Sequence, residues 1–115
     1  MDINFKVEVH CERAPWAITN PKYSDSRYRI YVNENLILER TWVWANNMFI
    51  NESIVIDGEI GESYKVILQP VLALHTQATF KLRNLQVIDH VHDVDVVGDT
   101  VINFKSNKYI LTGTE

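Results

Sequence analysis

Between Ile3 and Cys11 the residues alternate without a break: Ile3, Phe5, Val7, Val9 and Cys11 point one way, and Asn4, Lys6, Glu8 and His10 the other. A period of two belongs to an extended strand with one face buried. The same rhythm returns along the chain. Tyr28, Ile30 and Val32 alternate with Arg27, Arg29, Tyr31 and Asn33; Leu36 to Trp44 and Met48 to Ile56 are β-rich; Tyr64, Val66 and Leu68 alternate with Lys65, Ile67 and Gln69. Turn residues punctuate these runs at Asn33-Glu34-Asn35, Ala45-Asn46-Asn47, Asp57-Gly58, Gly98-Asp99 and Asn107-Lys108, close to the roughly 8–12-residue spacing of all-β chains. No stretch places apolar residues at helical spacing between caps, and one helical turn near Ala14 to Ile18 is the most that is expected. The pattern predicts an all-β fold: an antiparallel β-sandwich or jelly roll of about eight strands, in a single domain over residues 1–115.

Several local features refine this expectation. Glu12 to Ser26, with Pro15 and Pro21, reads as a long surface loop anchored by Trp16. Pro70 suits a strand end or a sheet edge, because it cannot donate to a ladder, so that strand is expected to stop near Val71 and a connection to run to Gln77. Ala78, Phe80 and Leu82 alternate, but Leu85 and Val87 follow out of phase, which predicts a bulge near Arg83-Asn84. The tail is expected to form three short strands, Val94 to Val97, Val101 to Phe104 and Tyr109 to Leu111. In Leu36 to Trp44, both faces are mixed: Leu36, Leu38, Arg40, Trp42 and Trp44 share one, Ile37, Glu39, Thr41 and Val43 the other.

Composition narrows the partners. A chain of 115 residues with 46% hydrophobic and 23% charged residues is an ordinary globular domain that buries roughly two thirds of its unfolded surface. A net charge of −4 with scattered cations argues against nucleic acid and against an anionic membrane as partners. No apolar run reaches the ~18 residues needed to span a bilayer, and the first residues lack a signal-peptide pattern, so synthesis in a cytosol is expected. The single cysteine, Cys11, leaves the fold without an internal disulfide and resting on packing.

The candidate chemistry is sparse. His90 and His92 offer two imidazoles for a transition metal, which needs further ligands; the bland reading of His90 to Asp95 is a polar loop between strands. Asp93 and Asp95, with Asp89 and Asp99, are the alternative oxygen set for calcium. Glu39, Glu52, Asp57, Glu59 and Glu62 allow many arbitrary carboxylate pairs, none with a signature of glycoside hydrolysis. A nucleophile and base drawn from Cys11 with His10 or His75 has no flanking motif to support it, and adjacent His10 and Cys11 face opposite sides of a strand, which argues against that pair. With no phosphate loop, dinucleotide fingerprint or metalloprotease motif, the expectation is a protein that is not an enzyme and uses no cofactor, calcium being the exception to test. Trp42 and Trp44, two apart on a strand, with Tyr28 and Tyr31 on the partner strand and Phe49 beyond, are either core or an interface and sugar platform.

The stretches Tyr28-Arg-Ile-Tyr-Val-Asn, Thr41-Trp-Val-Trp, Ser63-Tyr-Lys-Val-Ile-Leu-Gln-Pro and Ala78-Thr-Phe-Lys-Leu-Arg-Asn-Leu-Gln-Val resemble the small β-sandwich structural proteins of tailed bacteriophages, those of cyanophages in particular. A second resemblance is to the jelly-roll carbohydrate-binding modules, and the likeness covers about half of the chain. The first implies a virion component, either capsid decoration or cement, or part of a tail or fibre. Such a protein is made in the host cytoplasm, is present in many copies of a symmetric assembly and contacts other virion proteins. The second implies a glycan ligand, with calcium in some members. The apolar residues on both faces of Leu36 to Trp44 and Met48 to Ile56 exceed what one inward face requires, so part of that surplus is expected at an interface.

Overall fold

The computed structural model describes residues 2–13, 26–42, 48–71, 78–88 and 90–109, with side chains at 13, 26, 78, 90–92 and 107–109 outside that description. The expected Glu12 to Ser26 loop, the helical turn near Ala14 and the Val71 to Gln77 connection therefore fall wholly or largely outside the described residues.

Eight strands form in chain order: β1 (Asp2–Arg13), β2 (Ser26–Val32), β3 (Asn35–Trp42), β4 (Met48–Asp57), β5 (Ser63–Val71), β6 (Ala78–Val87), β7 (His90–Val96) and β8 (Val101–Tyr109). They make two antiparallel sheets, one of three strands in the order β4-β1-β6 and one of five in the order β3-β2-β5-β8-β7. The all-β sandwich expected from the alternation is the architecture found. The inward column of β1, Ile3, Phe5, Val7, Val9 and Cys11, is buried along its whole length, as the middle strand of the smaller sheet must be. Against it pack Ile54 and Ile56 of β4, Phe80, Leu82, Leu85 and Val87 of β6, and from the other sheet Tyr28, Ile30, Val32, Trp42, Tyr64, Val66, Leu68, Ile102 and Phe104.

Local chemistry explains the turns. Asn33 and Glu34 both adopt positive φ, 47° and 72°, the backbone that a two-residue hairpin needs to match strand twist. Asn33 also fastens the turn to β5, its N–H donating to the Lys65 carbonyl at 3.0 Å and its Oδ1 accepting the Lys65 N–H at 2.8 Å. The bulge expected near Arg83-Asn84 is present: register shifts between Lys6 and Glu8 opposite β6, and Asn84 has φ 54°. Gly58 closes β4 where a Cβ would overlap Tyr64 Oη and stand 2.8 Å from Ile3 Cδ1.

Pro70 lies at the end of β5, although β5 is a central strand. The β8 ladder stops at Ile67 opposite Val101, and the Leu68 N–H turns to the Thr100 carbonyl at 2.9 Å. Two residues on, Pro70 aims its missing N–H at the same side, where β8 no longer runs.

Two expectations for the tail are corrected. His90 to Asp95 is part of strand β7, the outer strand of the larger sheet, and not a loop. The strand β8 runs through Asn107-Lys108 without turning, because β7 supplies a partner up to Tyr109 and the irregular step becomes a bulge between Val91 and His92.

Candidate functional site: the flank of strands β3 and β4

One side of the sandwich is closed by an outer strand from each sheet, β4 above and β3 below. In the β1–β4 ladder, Val7 lies opposite Glu52, with Phe5 opposite Ile54 and Val9 opposite Ile50. Opposed residues share a face, so Glu52 points into the core with its aliphatic neighbours and is 3% exposed. A carboxylate in such a place requires partners. Arg40 of β3 supplies a bidentate pair, Nε to Oε2 at 2.6 Å and Nη2 to Oε1 at 2.7 Å, and the Tyr28 hydroxyl of β2 donates to Oε2 at 2.7 Å. These three side chains tie the two sheets together, and the cluster is a fastening between sheets.

The same arrangement governs the Tyr28 phenol. Burial, then the hydrogen bond to Glu52, hold it neutral far above the ordinary value of 10.0. In the unfolded chain it ionises near that ordinary value, so the unfolded state sheds a proton that the folded state keeps, and stability falls as pH rises above about 10. A slope of about 1.4 kcal/mol per pH unit is expected from this one group. Urea denaturation between pH 9 and 11.5 checks it: Tyr28→Phe should make the alkaline loss shallower, with Tyr64, also held neutral by burial, left to contribute its own part, and a variant that keeps the full slope refutes the assignment.

Outside the fastening, the flank exposes apolar side chains among polar ones. Leu36, Ile37, Met48, Phe49 and Val55 keep between 37% and 57% of their surface exposed. Phe49 stacks on His10 of β1 with ring centroids 4.8 Å apart, while His10 Nε2 lies 2.9 Å from Glu8 Oε1, which also accepts from Asn84 Nδ2 at 3.0 Å. At the far end, Ile37 and Val55 line a groove of about 680 Å³ between the hairpin turn and the β4–β5 loop, with Asp57, Glu59, Glu62 and Tyr64.

The residues singled out from sequence divide accordingly. Trp42 and Tyr28 are 1% and 0% exposed and pack edge-on against Phe80, with centroids 6.1 and 5.1 Å away. They belong to the core and form no sugar platform, since β3 turns the Leu38, Arg40, Trp42 face inward. Tyr31 is half-buried on the outer face of the larger sheet, Phe49 is exposed, and Trp44 lies outside the described residues. Asp93 and Asp95 are exposed on β7; Asp89 and the side chains of His90 and His92 are outside the description. Among the described residues no three His, Cys, Asp or Glu side chains converge on a point that would hold a metal. The Glu52–Arg40 pair is not among the candidates from sequence, yet its signal is present: opposite charges each stand in phase with buried positions, Glu52 with Ile54 and Ile56, Arg40 with Leu38 and Trp42.

No protein family, characterised protein or solved structure matches the chain.

Proposed function

We propose that the chain is a non-enzymatic structural protein that acts by protein–protein contact in an assembly of many copies, a tailed-phage virion being the assembly its sequence rhythm resembles. The observation that supports this reading is the flank itself: an outer strand from each sheet, bridged by Arg40 and Glu52, and carrying exposed Leu36, Ile37, Met48, Phe49 and Val55. Exposed apolar residues gathered on sheet edges mark contact with other chains. The carbohydrate-binding alternative has lost Trp42 and Tyr28 to the core, and of its aromatic residues described on this flank only Phe49 is exposed.

Co-expressed with the structural genes of its own virion, the protein is expected to sediment with particles and to be found in them by mass spectrometry. A protein that stays wholly in the soluble fraction and leaves particles unchanged defeats the proposal. A glycan array read with and without chelator tests the alternative.

A further inference from the structure

The two sheets have four outer strands, β3, β4, β6 and β7, and natural sheets blunt such edges with bulges, charges, prolines or covering loops. Three of the four are blunted. The strand β3 is bulged between the partners of Ile30 and Tyr31 and carries Glu39. The strand β6 is bulged at Asn84, and its Leu82 N–H is capped by the Asp99 carbonyl at 2.7 Å while Arg83 pairs with the Asp99 carboxylate at 2.7 Å. The strand β7 runs beside a bulge and carries exposed Asp93 and Asp95.

Among the described residues, the strand β4 has none of these devices. Its ten residues pair with β1 in unbroken register, it has no lysine, arginine or proline, and the one charge between its ends, Glu52, is turned inward and neutralised by Arg40. The Ile88 N–H reaches the Asn4 carbonyl at 2.8 Å on the β6 side. Because backbone groups alternate along a strand, the odd residues of β1 face β4, and their partners Ile50, Glu52, Ile54 and Ile56 face back. The N–H and C=O groups of Phe49, Asn51, Ser53 and Val55 therefore point to the open edge.

The polarity of β4 is palindromic about Glu52: Met48-Phe49-Ile50, then Asn51, Glu52, Ser53, then Ile54-Val55-Ile56. Antiparallel pairing of two such strands, with Glu52 opposite its own copy, sets Phe49 against Val55, Ile50 against Ile54, Met48 against Ile56 and Asn51 against Ser53. Every apolar residue meets an apolar one, and the outward-facing backbone groups fall in hydrogen-bonded pairs while Glu52 falls in a non-bonded pair, as antiparallel geometry requires. Each Glu52 carboxylate arrives already bound by its own Arg40. A strand that matches itself in reverse is what an isologous two-fold interface needs.

We propose that β4 is a homotypic docking edge: a second copy of this chain pairs antiparallel with it about Glu52, joining two three-stranded sheets into one of six. This deepens the assembly reading above and rests on it for its biological setting, but not for its test. Purified protein is expected to shift from monomer toward dimer mass in light scattering as concentration rises from micromolar to millimolar. Ser53→Pro should hold it monomeric with its stability nearly unchanged, because the lost N–H points away from β1 and serves no bond among the described residues. Phe49→Glu and Val55→Lys should each weaken the dimer at least tenfold. The Phe49→Glu/Val55→Lys double variant should recover it, since the carboxylate introduced at position 49 of one copy then faces the ammonium introduced at position 55 of the other. A protein that stays monomeric at millimolar concentration, a dimer indifferent to Ser53→Pro, or a double variant no better than the singles overturns the proposal. If Ser53→Pro still enters particles normally, the docking edge fails and the assembly reading survives; if wild type dimerises but never enters particles, the reverse holds.

Discussion

Arg40→Met should destabilise the protein by about 3–5 kcal/mol, the range expected when a buried carboxylate loses the charge that neutralises it. Glu52 is almost fully buried, and without Arg40 its only remaining partner in the cluster is the Tyr28 hydroxyl. Glu52→Gln should cost less, about 1–3 kcal/mol, because the side chain of Arg40 is 41% exposed and can turn its guanidinium to water. The order of the two effects is set by which partner is buried, not by the strength of the bond they share. Replacing both at once, Arg40→Leu with Glu52→Leu, should recover most of the loss, since an apolar pair of similar volume needs no neutralisation. Urea denaturation at pH 7 measures all three. An Arg40→Met variant as stable as Glu52→Gln would mean that the carboxylate reaches solvent, and the description of the fastening would fall.

What was readable beforehand follows the range of each interaction. The β1 column, the Asn33-Glu34 hairpin and the bulge at Asn84 are local: alternation, a turn pair tolerant of positive φ, and a slip of phase all act within a few residues. The tail misleads for the opposite reason. Asn107-Lys108 looks like a turn, but β7 offers β8 a ladder as far as Tyr109, and a long-range partner outweighs a weak local preference. His90 to Asp95 looks like a loop because its polar residues suit either an outer strand or a connection. Trp42 is ambiguous because both faces of its strand are mixed; the hairpin with β2 decides it, by setting Leu38 opposite Ile30 and Arg40 opposite Tyr28. The Glu52–Arg40 pair is hidden among many carboxylates, and only its phase with buried neighbours distinguishes it.

Two phenylalanines separate the fold from the docking edge. Phe80→Ala should cost about 3–5 kcal/mol, the usual toll of emptying a buried aromatic site. Phe80 is 2% exposed and holds Tyr28 and Trp42 edge-on, so its loss also loosens the phenol that binds Glu52. Phe49 is 47% exposed and touches the ring of His10; Phe49→Ala should change stability by no more than about 0.5–1 kcal/mol. The self-association of the two variants should run the other way at temperatures where both are folded, with Phe49→Ala weakened by lost contact to Val55 of the second copy and Phe80→Ala unchanged. Denaturation and light scattering on the same samples give both quantities. If Phe80→Ala lowers the association and Phe49→Ala spares it, the contact surface lies elsewhere than β4, because no change confined to the core distinguishes one edge from another.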